Sequence, residues 1–305
     1  QVLFWLARLE PARGMIQLLP GAWAGEHGDQ MQLLVRAVAY SLLCTALHIG
    51  LLPVVRRTAI EPKSRGEWVN RVVSSIHASI ASTAAWTALL SETPFKGMTV
   101  ALLHLQAEVD TVHGNSDILH AFLPFSLGYF LYDLCLMLIT GDNEDWEIVA
   151  IVHHILCLTM WPVSFLGRRG CFYVLQCLTM EVSTPLLHLA AFFLPKHNLN
   201  GGPLFVVVAG TLVVLFFLVR VLAIPFTIFA MRATWSFWAL SDPIFLPWVV
   251  TVPGPMVVNI FWFYKLVQGA MEKERYEEGA EFARAPKSGK RQQAADSSAE
   301  KTKAA

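Results

Sequence analysis

Long apolar runs recur along this chain, at 35–55, 68–90, 117–140, 147–167, 170–194, 203–231 and 244–269. Roughly 20 apolar residues in helical form cover the hydrocarbon core of a bilayer, and about seven of these runs reach that length. Lipid offers no partner for a backbone N–H or C=O, so a segment that crosses it satisfies those groups internally, as a helix. Pro124, Pro162, Pro185 and Pro225 fall inside the runs and are predicted to kink them. Hydrophobic residues make up 55% of the 305 and charged ones only 15%, with a mean hydropathy of +0.49, outside the usual range of a soluble domain. The expected fold is an all-α polytopic membrane protein, about seven transmembrane helices bundled around a polar-lined cavity.

The ends read differently. Residues 1–20 hold short apolar runs broken by Arg8, Pro11 and Arg13, which suits an interfacial segment. From about 272 onward charge and then Ala, Ser and Lys take over, too little to bury, so a disordered tail is predicted. The division is an N-terminal segment with the first span (1–66), a six-span domain (67–272) and a tail (273–305). Arg56, Arg57, Lys63, Arg65 and Arg71 cluster at the first connection, and Lys273 and Arg275 follow the last span. Positive charge marks the cytosolic side, so the C-terminus is predicted cytosolic, although Arg168 and Arg169 fall on the opposite side. The final "KTKAA" sets Lys301 and Lys303 in the spacing of a dilysine retrieval signal, an address read by coat proteins rather than an anchor. It predicts residence in the endoplasmic reticulum membrane; grafted onto a surface reporter, this tail should hold the reporter inside the cell.

Several function classes fall away. The 23 basic and 23 acidic side chains balance, leaving no field to attract nucleic acid. Cys44, Cys135, Cys157, Cys171 and Cys177 form no C-x-x-C, so they read as buried thiols rather than a disulfide or zinc framework. Apart from the adjacent His153 and His154, no histidine lies three to five residues from another, so the histidine boxes of a membrane iron oxygenase are absent and no metal is expected.

Within the runs stand His77, Asp133, His153, His154, Glu181, His188 and Arg220. An ionisable group at membrane depth costs about 2.5 kcal/mol or more, so such residues face the bundle interior and need partners. His77 shares a face with the small residues Ser74, Ala78, Ser82 and Ala85, suited to close helix packing. Asp133 lies one turn beyond Tyr129, and Arg220 is predicted to pair with Glu181 or Asp133, either as a structural pair or around a lipid headgroup. Glu181, Thr184 and His188 fall on one helix face and would line a cavity. Consecutive helical residues point about 100° apart, so His153 and His154 do not aim at one spot; one lines a cavity while the other bonds a neighbouring helix. Neutral imidazole serves as base or nucleophile near physiological pH.

Six strings, "NRVVSSIHA", "LGYFLYDL", "VHHILCL", "MEVSTPLLHLA", "FFLVRVLAIPF" and "NIFWFYKLVQGA", follow one another between about residues 67 and 272. As an ordered set they resemble the TLC-domain family of translocation-associated, longevity-assurance and ceroid-lipofuscinosis membrane proteins. The chain is most similar to the branch associated with membrane lipid composition, with its E-x-S-T-P motif. The resemblance implies a reticulum protein of lipid homeostasis that binds or senses lipids and adjusts phospholipid acyl composition. Glu181, Arg220 and His153 or His154 would contact a headgroup or acyl carbonyl, with His77 and His188 also in the lipid site. The ceramide synthase branch shares the double histidine, which implies an alternative: N-acyl transfer from acyl-CoA as substrate, using His153, His154, Asp133 and Glu181, with no further cofactor. That branch also carries a histidine-aspartate pair and a later aspartate where this chain has Met180-Glu181-Val182-Ser183-Thr184, one acid alone. Catalysis needs a positioned base with its orienting group, so the departure speaks against ceramide synthesis. Cargo escort between reticulum and Golgi fits only the tail.

Overall fold

The computed structural model describes residues 26–58, 60–140, 145–193, 202–238 and 245–284. Eleven α-helices run through them: α1 (Glu26–Val55), α2 (Arg65–Ser91), α3 (Thr93–Leu103), α4 (Asp117–Thr140), α5 (Asp145–Gly167), α6 (Cys171–Thr179), α7 (Thr184–Phe192), α8 (Gly202–Phe216), α9 (Ala223–Ala233), α10 (Phe245–Thr251) and α11 (Pro253–Arg284). The only β feature among the described residues is a bridge between His113 and Arg169. The chain is an all-α polytopic membrane protein.

Four helical stretches are long and apolar enough to cross a membrane: Asp29–Val55, Asp117–Thr140, Glu147–Gly167 and Pro203–Ala233, the last carrying a π turn. The other three of the seven expected spans are built differently. α2 is continuous and long, but its sequence is diluted by serines, threonines and a histidine. The 170–194 run is cut by a 3₁₀ turn at Met180–Ser183, and the 244–269 run is broken at Val252, between α10 and α11.

Two of these irregularities have a cause readable in the chain. A proline lacks the N–H that would bond the carbonyl four residues earlier, and its ring crowds that carbonyl. Pro185 stands four residues after Glu181, and the backbone tightens there: Thr184 N–H bonds Glu181 O in the 3₁₀ manner. Pro225 stands four residues after Val221, and there the backbone widens into a π turn over Phe217–Val221, with Leu222 N bonding Phe217 O at 2.8 Å. Pro185 and Pro225 thus lie in the first turns of α7 and α9 rather than mid-helix. Pro124 and Pro162 remain inside α4 and α5.

α2 is the hub, packing on α1, α4, α6 and α7. Its inward positions are small, with Ala78, Ala81, Ala85 and Ala88 fully buried, which lets neighbouring backbones approach. Gly128 performs the same service between α4 and α1. A Cβ there would lie 2.5 Å from Tyr40 Cβ and 2.6 Å from the Ala37 carbonyl oxygen. Leu42, Leu43, Ile49 and Val54 of α1 and Leu204, Val206 and Val207 of α8 are exposed, an outward apolar face suited to lipid.

The tail expectation needs correction at its start. α11 continues to Arg284, because "MEKERYEEGAEFAR" is rich in strong helix formers even though it has little to bury. Residues 285–305, with Lys301 and Lys303, and the N-terminal segment 1–20 lie outside the described residues.

Candidate functional site

The two proline-displaced turns face each other, and Arg220 bridges them. From the π turn its Nε donates to Ser183 Oγ at 2.9 Å, while Nη2 donates to Thr184 Oγ1 at 3.0 Å and Glu181 Oε1 at 3.4 Å. Nη1 reaches across to Asn259 Oδ1 on α11 at 3.1 Å, and the Phe216 ring lies 5.0 Å from the guanidinium carbon. Thr184 Oγ1 donates to Glu181 Oε2 at 2.8 Å. Of the two partners the sequence left open for Arg220, the structure selects Glu181 over Asp133. A buried charge is tolerable only with its pair and its remaining donors satisfied, and every guanidinium nitrogen here has an acceptor.

A second centre joins α4 to α5. Asp133 Oδ2 lies 3.0 Å from His154 Nε2, both side chains being about nine-tenths buried. Asn70 Nδ2 of α2 donates to Asp133 Oδ1 at 2.8 Å. Tyr132 donates its hydroxyl to Asn70 Oδ1 at 2.9 Å, so it accepts from His48 Nδ1 of α1, 2.6 Å away. The other nitrogen of His154, Nδ1, is 2.7 Å from the Ala150 carbonyl. A carbonyl only accepts, so Nδ1 carries a proton. Nε2 lies within ion-pair distance of Oδ2 but has no hydrogen-bond partner among the described residues, so the contact is one of charge and proximity.

The remaining histidines have separate duties. His153 turns away from His154 and places Nε2 3.8 Å from Cys157 Sγ, one helical turn on. His188 Nδ1 accepts from Arg71 Nη1 at 3.2 Å, so its Nε2 donates to Ser74 Oγ at 2.8 Å; Arg71 in turn pairs with Glu67 at 2.6 Å. Ser74 also accepts from the Tyr129 hydroxyl at 2.8 Å. His77 is buried between α2 and α4, stacked on Tyr129 at 4.0 Å and 3.2 Å from Ser126 Oγ.

One expectation is corrected. Glu181 and His188 do not line one cavity: the 3₁₀ turn between them advances about three residues per turn, which swings His188 toward α2 while Thr184 stays on Glu181. Two small cavities, of about 30 and about 10 Å³, lie beside Cys177, and neither is lined by His77, Asp133, His153, His154, Glu181, His188 or Arg220. The polar side chains fill the interior by contacting one another, which relieves their desolvation more fully than an empty space would.

The sequence reading missed His48, Asn70, Tyr132, Ser183 and Asn259. Asparagine, tyrosine and serine carry no charge and so raise no alarm in an apolar run. The signal available was their placement near the ionisable residues, Tyr132 beside Asp133 and Ser183 two residues from Glu181.

Comparison with known proteins adds to this geometry. The TLC domain matches residues 67–268, close to the 67–272 domain read from the sequence. The chain is 24% identical over 215 residues to TLC domain-containing protein 4-B of Danio rerio, covering 69% of this chain and 76% of that protein. It is 27% identical over 142 residues to TLC domain-containing protein 2 of Danio rerio, covering 46% and 51%. With TLC domain-containing protein 4 of Homo sapiens it shares 21% identity over 219 residues, covering 69% and 76%.

Proposed function

Because the chain belongs to the TLC-domain family, we propose that it is a lipid-homeostasis protein of the endoplasmic reticulum membrane, binding or sensing lipids and adjusting phospholipid acyl composition. The observation that supports this most is the meeting of two interrupted helices around Glu181 and Arg220. Irregular backbone at membrane depth is tolerated only inside protein or beside a cavity, and π turns concentrate at functional sites. In this reading a headgroup or acyl carbonyl exchanges with one of the Arg220 acceptors, and the pair reports on the lipid by opening. The residues His77 and His188 support the surrounding α2 face. Reticulum residence rests on Lys301 and Lys303, read by coat proteins.

The test is the acyl profile of cellular phospholipids with and without the protein. Loss should shift the profile, the unaltered chain should restore it, and Glu181→Gln should not. An unchanged profile on deletion sinks the proposal.

A second reading, acyl-CoA-dependent N-acyl transfer, draws on the Asp133–His154 contact at 3.0 Å, which supplies a base with its orienting acid. His153, beside Cys157, or His154 is the group to meet an acyl thioester. Purified protein should then move a labelled acyl group to an amine, and transfer that survives the double change His153→Ala, His154→Ala removes this assignment.

A further inference from the structure

α3 (Thr93–Leu103) is apolar on two opposite sides. Phe95, Met98 and Leu102 turn inward and are buried, and Phe95 and Met98 pack so closely on the backbone at Gly114 that an added Cβ there would lie 3.2 and 3.0 Å from them. The outer edge carries Lys96, Val100 and Leu103, four and three residues apart and hence in one row. Val100 is 47% and Leu103 65% exposed. A helix with apolar residues on both sides is not built to face water.

The end of the helix repeats the signal against a local cost. Leu105 N bonds Leu102 O at 2.9 Å and Gln106 N bonds Ala101 O at 3.1 Å, the pair of bonds that closes a helix around one left-handed residue, ordinarily glycine. Here that residue is Leu105, with φ 55°, a conformation that any side chain with a Cβ disfavours. The leucine is 74% exposed, so contacts inside the protein do not offset that cost.

The membrane surface lies at this level. α2 ends at Ser91, and the crossing stretches Asp117–Thr140 and Pro203–Ala233 begin and end here. Val109 N bonds Ala233 O at 3.0 Å and Thr111 N bonds Thr234 Oγ1 at 2.9 Å, so the chain that follows α3 is tied to the end of α9. Leu105 stands four residues before that tie, at most about 14 Å of extended chain. Trp235, just past the tie, is 53% exposed, and tryptophan gathers where headgroups meet hydrocarbon.

We infer that α3 is an interfacial helix whose outer edge, Val100 and Leu103, is seated together with Leu105 and Trp235 in the headgroup boundary of the bilayer at this end of the bundle. Lys96, one turn before Val100, lays its stem along the apolar edge and its ammonium among the phosphates. Glu108, also exposed, lies on the water side. Lipid already surrounds the crossing helices at this level, so it covers the edge without a further protein partner. This seating does not rest on the acyl-composition reading and holds for a protein without effect on cellular lipids.

The experiment attaches an environment-sensitive fluorophore to Leu103→Cys, Leu105→Cys or Glu108→Cys in the full chain, in phosphatidylcholine nanodiscs. Cys135→Ser removes the exposed native thiol, and that chain without an added cysteine gives the background. Labels at 103 and 105 should emit to the blue and be quenched by a nitroxide-bearing lipid, whereas the label at 108 should be quenched by aqueous iodide. A second measurement needs no label: Leu103→Ser with Leu105→Ser should speed amide exchange over residues 100–106 by about tenfold in nanodiscs, the factor for returning one leucine side chain to water. Iodide quenching at 103 and 105 equal to that at 108 overturns the seating. So does protection of 103 and 105 from both quenchers, which assigns the edge to protein, a second copy included, and so does exchange unchanged by the double substitution.

Discussion

The Glu181–Arg220 and Asp133–His154 pairs are both buried between helices, and they solve the same problem in opposite ways. A guanidinium does not lose its proton in a protein, so the first pair is permanently ionic and is surrounded by fixed acceptors: Ser183, Thr184 and Asn259. Asp133 and His154 meet at 3.0 Å without a hydrogen bond between Oδ2 and Nε2, and each of the two side chains has a neutral form open to it. The first is built on distorted backbone; the second joins two regular helices, α4 and α5, and is steadied by a chain of side chains from α1 and α2. One centre fixes architecture around a charge that cannot be removed, and the other joins two groups that can each be neutral.

The comparison breaks first at Glu181. Glu181→Gln leaves Arg220 without its anion, and removing one member of a buried pair costs about 3–5 kcal/mol. A large fall in the thermal midpoint of the purified protein is expected, with part regained when Arg220→Met is added. If the single and double variants melt alike, Arg220 is not the partner that matters. Asp133→Asn should cost less, about 1–3 kcal/mol, the range for leaving buried polar groups unsatisfied, because His154 then goes neutral; equal melting losses for Glu181→Gln and Asp133→Asn would erase the distinction. Pro225→Ala restores the N–H donor that the Val221 carbonyl lacks and should regularise the π turn, drawing Arg220 from Glu181. A double-mutant cycle on 181 and 220 should then show coupling reduced by about 1 kcal/mol, and unchanged coupling would detach the proline from the site. The smallest effect is expected for Tyr132→Phe. It removes the link from His48 to Asn70, and hydrogen bonds between membrane helices average about 0.6 kcal/mol, so only a slight shift in the midpoint should appear.

Much of this was legible in the chain. The apolar runs at 117–140 and 147–167 became α4 and α5 nearly to the residue, because length and hydropathy are local properties that lipid reads directly. Run 170–194 was legible as helix but not as a broken one, although Pro185 stood in view; a proline says where a hydrogen bond is lost, not whether the turn tightens as at Glu181 or widens as at Val221. The polar set was found as a set, since each member stands out against its run. Its geometry was legible in part: Arg220 was expected to pair with Glu181 or Asp133 and takes Glu181, while Asp133 turns to His154.

The sequence by itself determined that this is a helical protein of the membrane and that His77, Asp133, His153, His154, Glu181, His188 and Arg220 would turn inward, because the cost of an ionisable group in hydrocarbon is paid residue by residue. Tertiary structure alone decided that Arg220 takes Glu181, that Asp133 takes His154 and that Asn70 and Asn259 complete the two centres. Those partners lie on different helices, and which of them meet depends on how closely small residues such as Gly128 and Ala81 let the helices approach, a matter of packing between elements that no single run encodes.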